Sequence, residues 1–330
     1  MICRLIVPAV SLALAVGAAG CGDDESAAGG GATGAGDKTR VRVAYVPVAT
    51  VLPALVAKDA GIFDRNGLDV TLTPIENVTT IPGTLGRQFE IGASTSPDAI
   101  KAVGQGINVA AVTGGTVDTE DNSVGEVVVP ADSPIRNVAD LRGKRIATPS
   151  VGAAMHVSLL NWLAQEKVPL DSLKAVEMPF PTMPDQLKAG RVDAVEAVQP
   201  FLGLLLQAGN RSLGAPLQSI GTPPVLGVVW IAGRRWAEEN PEALSRWNRS
   251  MVEAQDLIAR DDERARAILQ KYTELPSEVA AKIKLPEFAA DLPAAELATK
   301  LEPWVGALQR AGQFDGEVAS DQLVVGPGGS

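Results

Sequence analysis

Short β-branched segments alternate with helical stretches between residues 41 and 232, and this alternation restricts the chain to an α/β fold. Strands are predicted at residues 41–46, 68–72, 89–93, 109–112, 126–130, 145–148, 174–178, 192–198 and 225–232. Helices are predicted between them at residues 52–60, 80–87, 100–103, 137–141, 151–165, 183–189 and 201–208. This order favours a parallel or mixed sheet with helices on its faces.

The chain beyond residue 240 is predicted to be mostly helical, with helices at residues 241–260, 262–271, 277–284 and 293–311. Asn240 can cap the first of them, and Pro241 suits the first helical position. Pro303 is expected to break the last helix in two, because proline lacks the N–H that a helix interior needs.

The composition excludes several classes of function. A net charge of −10 argues against non-specific binding to nucleic acid or to anionic lipid. Aromatic residues make up only 4% of the chain, too few for broad base-stacking surfaces. One histidine, His156, and two cysteines, Cys3 and Cys21, cannot supply the four ligands of a usual zinc site. We therefore expect no metal and no cofactor.

The N-terminus is predicted to direct export. Residues 1–20 form a short apolar run typical of a signal peptide, and small residues stand directly before Cys21. This resembles a bacterial lipobox, so we expect Cys21 to be lipidated, although an ordinary signal peptide with an incidental cysteine would read similarly. Residues 22–40 are rich in Gly, Ala, Asp and Ser and are predicted to be a flexible tether. The expected location is the outer face of the cell membrane.

Several short motifs resemble one family. The first half carries AKDAGIF at 57–63 and NGLDV at 66–70. The second carries DLRGKRIA at 140–147, LKAGRVDA at 187–194 and Gln199-Pro200, where that family usually has Glu-Pro. The order and spacing over residues 41–260 resemble the extracytoplasmic solute-binding proteins of nitrate, sulfonate and taurine importers.

The resemblance implies a type II periplasmic-binding-protein fold, with two α/β lobes joined by a two-crossing hinge. Lobe 1 would comprise residues 41–124 and 225–330 and lobe 2 residues 125–224, with the crossings near 114–124 and 219–225. Such a protein is a monomer that captures a small solute and delivers it to the permease and ATPase subunits of an ABC importer. The alternatives are an enzyme of the same fold, resembling thiamine-pyrimidine or menaquinone-pathway proteins, and a lipid-anchored structural protein.

Ligands of α/β sheets bind beyond the carboxyl ends of strands, which selects the loops at 47–52, 94–98, 149–156 and 196–200. The loop containing Ser150, Gly152 and Ala153 runs into a helix N-terminus, where backbone N–H groups suit an anion. Hydroxyl groups for an oxyanion are offered by Ser94, Thr95 and Ser96, although Ser96 could instead cap the next helix. The expected solute is therefore a small oxyanion-bearing compound such as an alkanesulfonate or a taurine-like molecule.

Four further candidates carry weaker signals, and for three of them a role in the fold or in solvent is the alternative. Thr50 lies on the first loop, and His156 lies about one turn into a helix, facing either the cleft or solvent. Glu196 could pair with an amine of the solute or could be solvated. Gln199 beside it could contact the solute or serve the fold alone.

Overall fold

A computed structural model describes residues 38–326. The predicted signal peptide and Cys21 lie outside the described residues. The strands are β1 (Thr39–Tyr45), β2 (Leu68–Pro74), β3 (Ile91–Thr95), β4 (Val109–Gly114), β5 (Thr116–Asp118), β6 (Gly125–Val129), β7 (Arg145–Thr148), β8 (Lys174–Glu177), β9 (Ala194–Val198), β10 (Arg211–Gly214), β11 (Val225–Leu226), β12 (Val228–Gly233) and β13 (Glu287–Phe288).

The helices alternate with the strands in the first two thirds of this region and dominate the last third. They are α1 (Leu52–Asp59), α2 (Ile62–Arg65), α3 (Ser96–Gly104), α4 (Ala154–Gln165), α5 (Met183–Lys188), α6 (Phe201–Gln207), α7 (Arg234–Glu239), α8 (Pro241–Arg260), α9 (Asp262–Thr273), α10 (Ser277–Ala280), α11 (Ala294–Arg310) and α12 (Ser320–Leu323). No helix in residues 38–326 is both long enough and apolar enough to cross a membrane.

Two five-stranded sheets share one design. The first sheet has the order β2-β1-β3-β12-β4, and the second has the order β8-β7-β9-β6-β10. In each, the first three strands run parallel, while the fourth strand runs antiparallel to both of its neighbours. We call each sheet with the helices packed on it a lobe, the first lobe being built on β1 and the second on β7.

The chain passes between the lobes through two neighbouring segments. It leaves the first sheet after β4 and enters the second at β6, and it returns after β10 to β12. Strands β5 and β11 lie on these two connections and pair antiparallel with each other, and β13 pairs with the other edge of β5. The connecting segments are thus hydrogen-bonded into a small third sheet.

The core of the first lobe centres on stacked aromatic rings. Trp247 of α8 stacks on Phe63 of α2, with ring centroids 5.1 Å apart, and meets Trp230 of β12 edge-on at 5.3 Å. The Trp247 indole also donates a hydrogen bond of 3.1 Å to the Thr113 hydroxyl on β4. Because all three rings are fully buried, these contacts fix the long helix α8 against the sheet.

Several predicted elements differ from the structure. Of the helix predicted at 277–284, only Ser277–Ala280 is helical. Residues 80–87 form no α-helix: two short 3-10 turns stand there, because Pro82 and Gly83 suit turns better than a helix interior. The predicted strand at 225–232 is divided at Gly227 into β11 and β12, which belong to different sheets.

Pro303 does not break the last long helix. Helix α11 runs unbroken from Ala294 to Arg310 with Pro303 inside it. Leu301 and Trp304 on either side of the proline are fully buried, and the Trp304 indole donates a 2.7 Å hydrogen bond to the Leu226 carbonyl. Packing on both sides of the proline therefore outweighs its helix-breaking tendency.

Candidate functional site

The carboxyl ends of the inner parallel strands of both sheets meet around one cavity of about 80 Å³, which we call the inner cavity. Its walls are mostly apolar, formed by Val46, Val48, Val124, Met155, Phe180 and Val198 among others. Five of the residues predicted from the sequence also line it: Thr50, Ser94, Thr95, Ser150 and Ala153. An apolar cavity with a few convergent polar groups is the usual form of a small-molecule site.

The first turn of α4 supplies unpaired N–H donors to this cavity. Ala153 precedes the helix with extended backbone, and no side chain caps the helix. Ala154 and Met155 line the cavity, and their backbone N–H groups have no acceptor among the described residues. A helix start with free N–H groups carries partial positive charge and favours an anion.

The first lobe presents further donors to the same cavity. Thr50 is 5% exposed, and neither its hydroxyl nor its backbone N–H has a partner among residues 38–326. Thr95 precedes helix α3 and donates its hydroxyl proton to the buried Asp98 carboxylate at 2.5 Å. Ser94 makes only a long hydrogen bond of 3.2 Å to the Thr95 carbonyl. Thr50 is therefore the polar group with the most unused hydrogen-bonding capacity here.

Two predicted residues near the helix starts do not line the cavity. The Ser96 hydroxyl donates to the Leu226 carbonyl at 2.7 Å, so Ser96 ties α3 to β11 and does not cap the helix. Gly152 donates its N–H to the His156 ring at 3.1 Å, and its carbonyl accepts a hydrogen bond of 2.7 Å from Lys101. Gly152 has φ +84, which favours glycine, and its role is to shape this turn.

His156 faces the protein interior. It is buried on α4 and does not line the inner cavity. Burial, together with the nearby Lys101 charge and opposed by Glu177, lowers the pKa of His156 to about 4. The ring is therefore neutral at physiological pH, with Nδ1 accepting the hydrogen bond from Gly152.

Glu196 and Gln199 also lie away from the cavity. Glu196 is fully buried on β9, and neither carboxyl oxygen has a well-formed hydrogen bond to the described residues. Burial raises the pKa of Glu196 to about 8, opposed only by the Thr148 hydroxyl, so the group is largely protonated at neutral pH. The Gln199 side chain accepts from the Gly203 N–H at 3.1 Å, at the start of α6.

Several lining residues were not among the candidates chosen from the sequence, including Ala154 and Met155 on a selected loop and Glu76 and Phe180 on loops that were not selected. Glu76 follows β2 and Phe180 follows β8, and both line the inner cavity. The rule that selected the loops beyond β1, β3, β7 and β9 would have found them if it had been applied to the outer parallel strands. Glu76 is the only ionisable side chain among the described residues that line the inner cavity.

A larger cavity of about 550 Å³ adjoins the first and shares Val46, Val48, Glu76 and Phe180 with it. We call it the outer cavity. Its remaining walls come from the two lobes. They include four prolines, Pro47, Pro74, Pro179 and Pro181, together with Phe201, Lys271, Tyr272 and Glu274. The Phe180 and Phe201 rings stack nearly parallel, with centroids 5.7 Å apart.

Direct hydrogen bonds join the two lobes around these cavities. Asn77 of the first lobe accepts from the Ser150 hydroxyl at 2.8 Å and donates to the Glu177 carboxylate at 3.0 Å. The Ala49 N–H donates to the Gln199 carbonyl at 2.8 Å. Together with the bond from Lys101 to Gly152, these contacts hold the lobes close to each other.

The charged side chains do not assemble into a metal site. Within residues 38–326, no group of three or more His, Cys, Asp and Glu side chains is arranged to hold a metal ion. The buried Asp98 carboxylate, which accepts a hydrogen bond from the lining residue Thr95, is also paired with Lys101 at 3.0 Å.

Two sheets of this matched strand order, joined by two crossings and enclosing a cavity at their carboxyl ends, define a type II periplasmic-binding-protein fold. The fold is also that of the alkanesulfonate-binding protein SsuA from Xanthomonas axonopodis pv. citri bound to MOPS. That structure matches with a TM-score of 0.74 and 19% identity, covering 88% of this chain and 99% of that one. The family model described as NMT1/THI5 like matches residues 49–265, and the chain belongs to this family.

Curated relatives carry names from transport. A putative ABC transporter periplasmic binding protein of Brachyspira hyodysenteriae is 23% identical over 265 residues, which cover 76% of this chain and 74% of the relative. A putative aliphatic sulfonates-binding protein of Escherichia coli is 29% identical over 158 residues, 47% of each chain. The chain thus has the fold and the family relationships of the solute-binding components of ABC importers.

Proposed function

We propose that this chain is the solute-binding component of an ABC importer and that it captures a small oxyanion-bearing organic solute between its two lobes. The observation that carries the proposal is the convergence of unused donors on the inner cavity. The Ala154 and Met155 N–H groups come from the second lobe, and the Thr50 N–H and hydroxyl come from the first. Charge-assisted hydrogen bonds of this kind are about twice as strong as neutral ones.

The proposed solute class is an alkanesulfonate or a related organic anion. Relatives named for aliphatic sulfonates and alkanesulfonates support this choice, and so do the apolar walls that would surround a carbon chain. No lysine or arginine is among the described residues that line the inner cavity, so backbone dipoles and hydroxyls would have to hold the anion.

A binding role suits the site better than catalysis. A general base would have to be His156 or a carboxylate, and His156 is engaged by Gly152 outside the cavity. The Ser94 and Ser150 hydroxyls donate to a carbonyl and to Asn77, and neither is hydrogen-bonded to a base among residues 38–326. The role therefore requires recognition, closure of the lobes and release to the permease and ATPase subunits.

Isothermal calorimetry on the purified protein tests the solute class. The panel comprises alkanesulfonates of increasing chain length, nitrate, carboxylates and neutral heterocycles of similar size. We expect the organic sulfonates to bind and the neutral heterocycles not to bind. If a neutral heterocycle binds and no anion does, the proposed oxyanion-bearing solute class is wrong. The proposed role in solute binding would still stand.

The export part of the proposal concerns residues outside the described region. Cys21 would be lipidated after removal of residues 1–20 and would hold the protein at the outer face of the cell membrane. Labelling cells with a clickable palmitate analogue should mark the wild type and the Cys3→Ala control but not Cys21→Ala. Equal labelling of Cys21→Ala would overturn lipidation at this position.

A further inference from the structure

The inner cavity is too small to enclose an organic anion larger than its head group. Its volume of about 80 Å³ compares with roughly 30 Å³ for one water in the liquid, whereas typical ligand sites measure about 300–1,000 Å³. The outer cavity, at about 550 Å³, falls within that range and shares Val46, Val48, Glu76 and Phe180 with the inner one. A solute whose head group lies against Thr50 would extend past Glu76 and Phe180 into the outer cavity.

The walls of the outer cavity suit an organic tail. The Phe180 and Phe201 rings are stacked in nearly parallel planes, with an angle of 5° between them. Phe180 is buried and Phe201 is half-buried, so the pair presents a fixed apolar surface. Tyr272 contributes a third ring to the lining, from the first lobe. Aromatic faces attract both apolar groups and cationic groups.

The charge of the outer cavity is negative. Its ionisable lining residues are Glu76, Lys271, Glu274 and Tyr272. Lys271 is already paired with Asp59, whereas neither Glu76 nor Glu274 has an ion-pair partner among the described residues. The two ends of the combined space therefore differ: hydrogen-bond donors surround the inner end, and unpaired carboxylates stand at the junction and in the outer cavity.

We infer that the outer cavity is a second subsite, which receives a bulky cationic tail of the solute while the inner cavity holds its oxyanion head. This inference rests on the proposed function. The favoured solute is a zwitterion whose cationic nitrogen lies several atoms from the anionic head, near Glu76 and the ring of Phe180. A short aminosulfonate would leave most of the outer cavity unfilled.

Three sulfonates separate head, tail and charge. Propanesulfonate has a head and no bulky tail. The sulfobetaine trimethylammoniopropanesulfonate adds a cationic tail. Its isostere has carbon in place of the nitrogen, so that its tail has the same shape but no charge. Calorimetry should give the weakest binding for propanesulfonate, tighter binding for the isostere, and the tightest binding for the sulfobetaine, by roughly fivefold over the isostere.

Two variants assign these differences to residues. Glu76→Gln should remove the preference for the sulfobetaine over the isostere, and it should strengthen propanesulfonate binding slightly, because the lost carboxylate lies at the junction beside the anionic head. Phe201→Ala should weaken both tailed ligands and not propanesulfonate. The control Glu166→Gln, at the exposed end of α4, removes a carboxylate outside both cavities and should change nothing.

The outcomes distinguish this inference from the function on which it rests. If propanesulfonate binds and neither tailed ligand binds more tightly, the second subsite is wrong and the oxyanion site stands. Equal affinities for the sulfobetaine and the isostere would overturn the selection of a cation by Glu76. If none of the three sulfonates binds, the proposed solute class and the subsite are both overturned.

Discussion

Two buried ionisable residues of the second lobe, His156 and Glu196, should give opposite contributions to stability as pH changes. The pKa of His156 is lowered to about 4 by burial, so the folded state binds fewer protons there than the unfolded state, and stability rises with pH from about 4 to 6.5. The pKa of Glu196 is raised to about 8 by burial, so stability falls as pH rises from about 4.5 to 8.

These contributions largely cancel between pH 4.5 and 6.5, and single variants should expose them. In Glu196→Gln, the free energy of unfolding should rise with pH more steeply than in the wild type. In His156→Asn it should fall with pH, and each change of slope should be on the order of 1 kcal/mol per pH unit. Urea unfolding at half-unit pH steps measures both slopes, with Glu166→Gln as an exposed control. Variant curves parallel to the wild type would contradict the prediction.

Thr50 offers the most direct test of the inner cavity at the level of one side chain. Thr50→Val keeps the shape of the residue and removes the one lining hydroxyl that has no hydrogen-bond partner within the described part of the chain. A lost hydrogen bond to a charged group costs about 1.5–3 kcal/mol, so sulfonate affinity should fall by roughly tenfold or more. The control is Thr299→Val on the exposed face of α11. Unchanged affinity of Thr50→Val in calorimetry would remove Thr50 from the site.

The candidate site shows what residue types in a loop can and cannot predict. The rule of strand carboxyl ends selected Thr50, Ser94, Thr95, Ser150 and Ala153, which do line the cavity. Glu196 was selected by the same rule but lies two residues inside β9, and Val198, on the same strand face nearer the end, lines the cavity instead. Depth along a strand cannot be read from residue type.

At the scale of elements, each lobe contains an equivalent arginine–carboxylate pair at the same position of its sheet. Arg42 on β1 donates its backbone N–H to the Glu90 carboxylate at 2.6 Å, and Arg145 on β7 donates its own to Asp193 at 2.8 Å. In both places the guanidinium pairs with the same carboxylate. Residues 86–91 (GRQFEI) and 190–194 (GRVDA) both begin with Gly-Arg and place an acidic residue between apolar ones. This similarity has a structural counterpart, because each stretch leads into the third parallel strand of its sheet.

Prediction of elements succeeded where signals were local. Helix α8 has the predicted bounds, since Pro241 takes its first position and its apolar residues are regularly spaced. The predicted cap is wrong: the Asn240 side chain donates to the Trp236 carbonyl and does not cap α8. Strands β5 and β13 were missed because they contain three and two residues and pair across a wide stretch of sequence. Their existence depends on tertiary contacts, which strand propensity does not report.

Pro303 gives a prediction about helix α11. Replacing it with alanine restores an N–H to the helix interior and removes the ring that crowds the preceding turn. Pro303→Ala should therefore raise the free energy of unfolding by about 1–2 kcal/mol, less than the full proline penalty because the unfolded chain also gains freedom. The neighbouring exposed Glu302→Ala should change it by less than about 0.5 kcal/mol. Equal stabilities of the two variants would show that the helix tolerates this proline without strain.

At the scale of the whole molecule, Asn77 is expected to control the balance between closed and open lobes. Its side chain forms hydrogen bonds with Ser150 and Glu177 across the cleft. Within its own lobe it also accepts hydrogen bonds from the N–H and hydroxyl of Thr79. Asn77→Ala removes two of the hydrogen bonds between the lobes, those to Ser150 and Glu177, so the open population should increase. The apparent solute affinity should then fall with the closed fraction.

Small-angle scattering and calorimetry check this expectation together. Asn77→Ala should have a larger radius of gyration than the wild type without solute, and roughly tenfold weaker binding of the solute that the panel identifies. The control Thr79→Ala disturbs the same local turn and leaves both contacts between the lobes intact. If Thr79→Ala increases the radius of gyration equally, the local turn and not the Asn77 contacts with Ser150 and Glu177 controls the opening of the lobes.

The prolines around the outer cavity have a consequence for how solutes are told apart. Pro47, Pro74, Pro179 and Pro181 fix four backbone φ angles on the rim, two in each lobe. Because the backbone of this rim is already restricted, it loses little conformational entropy when a solute binds. For the same reason it cannot change shape to accommodate a solute that fits poorly. The protein should therefore discriminate between solutes by the width of their tails. Affinity should drop abruptly once the tail is wider than the rim allows, and should not decline gradually with size.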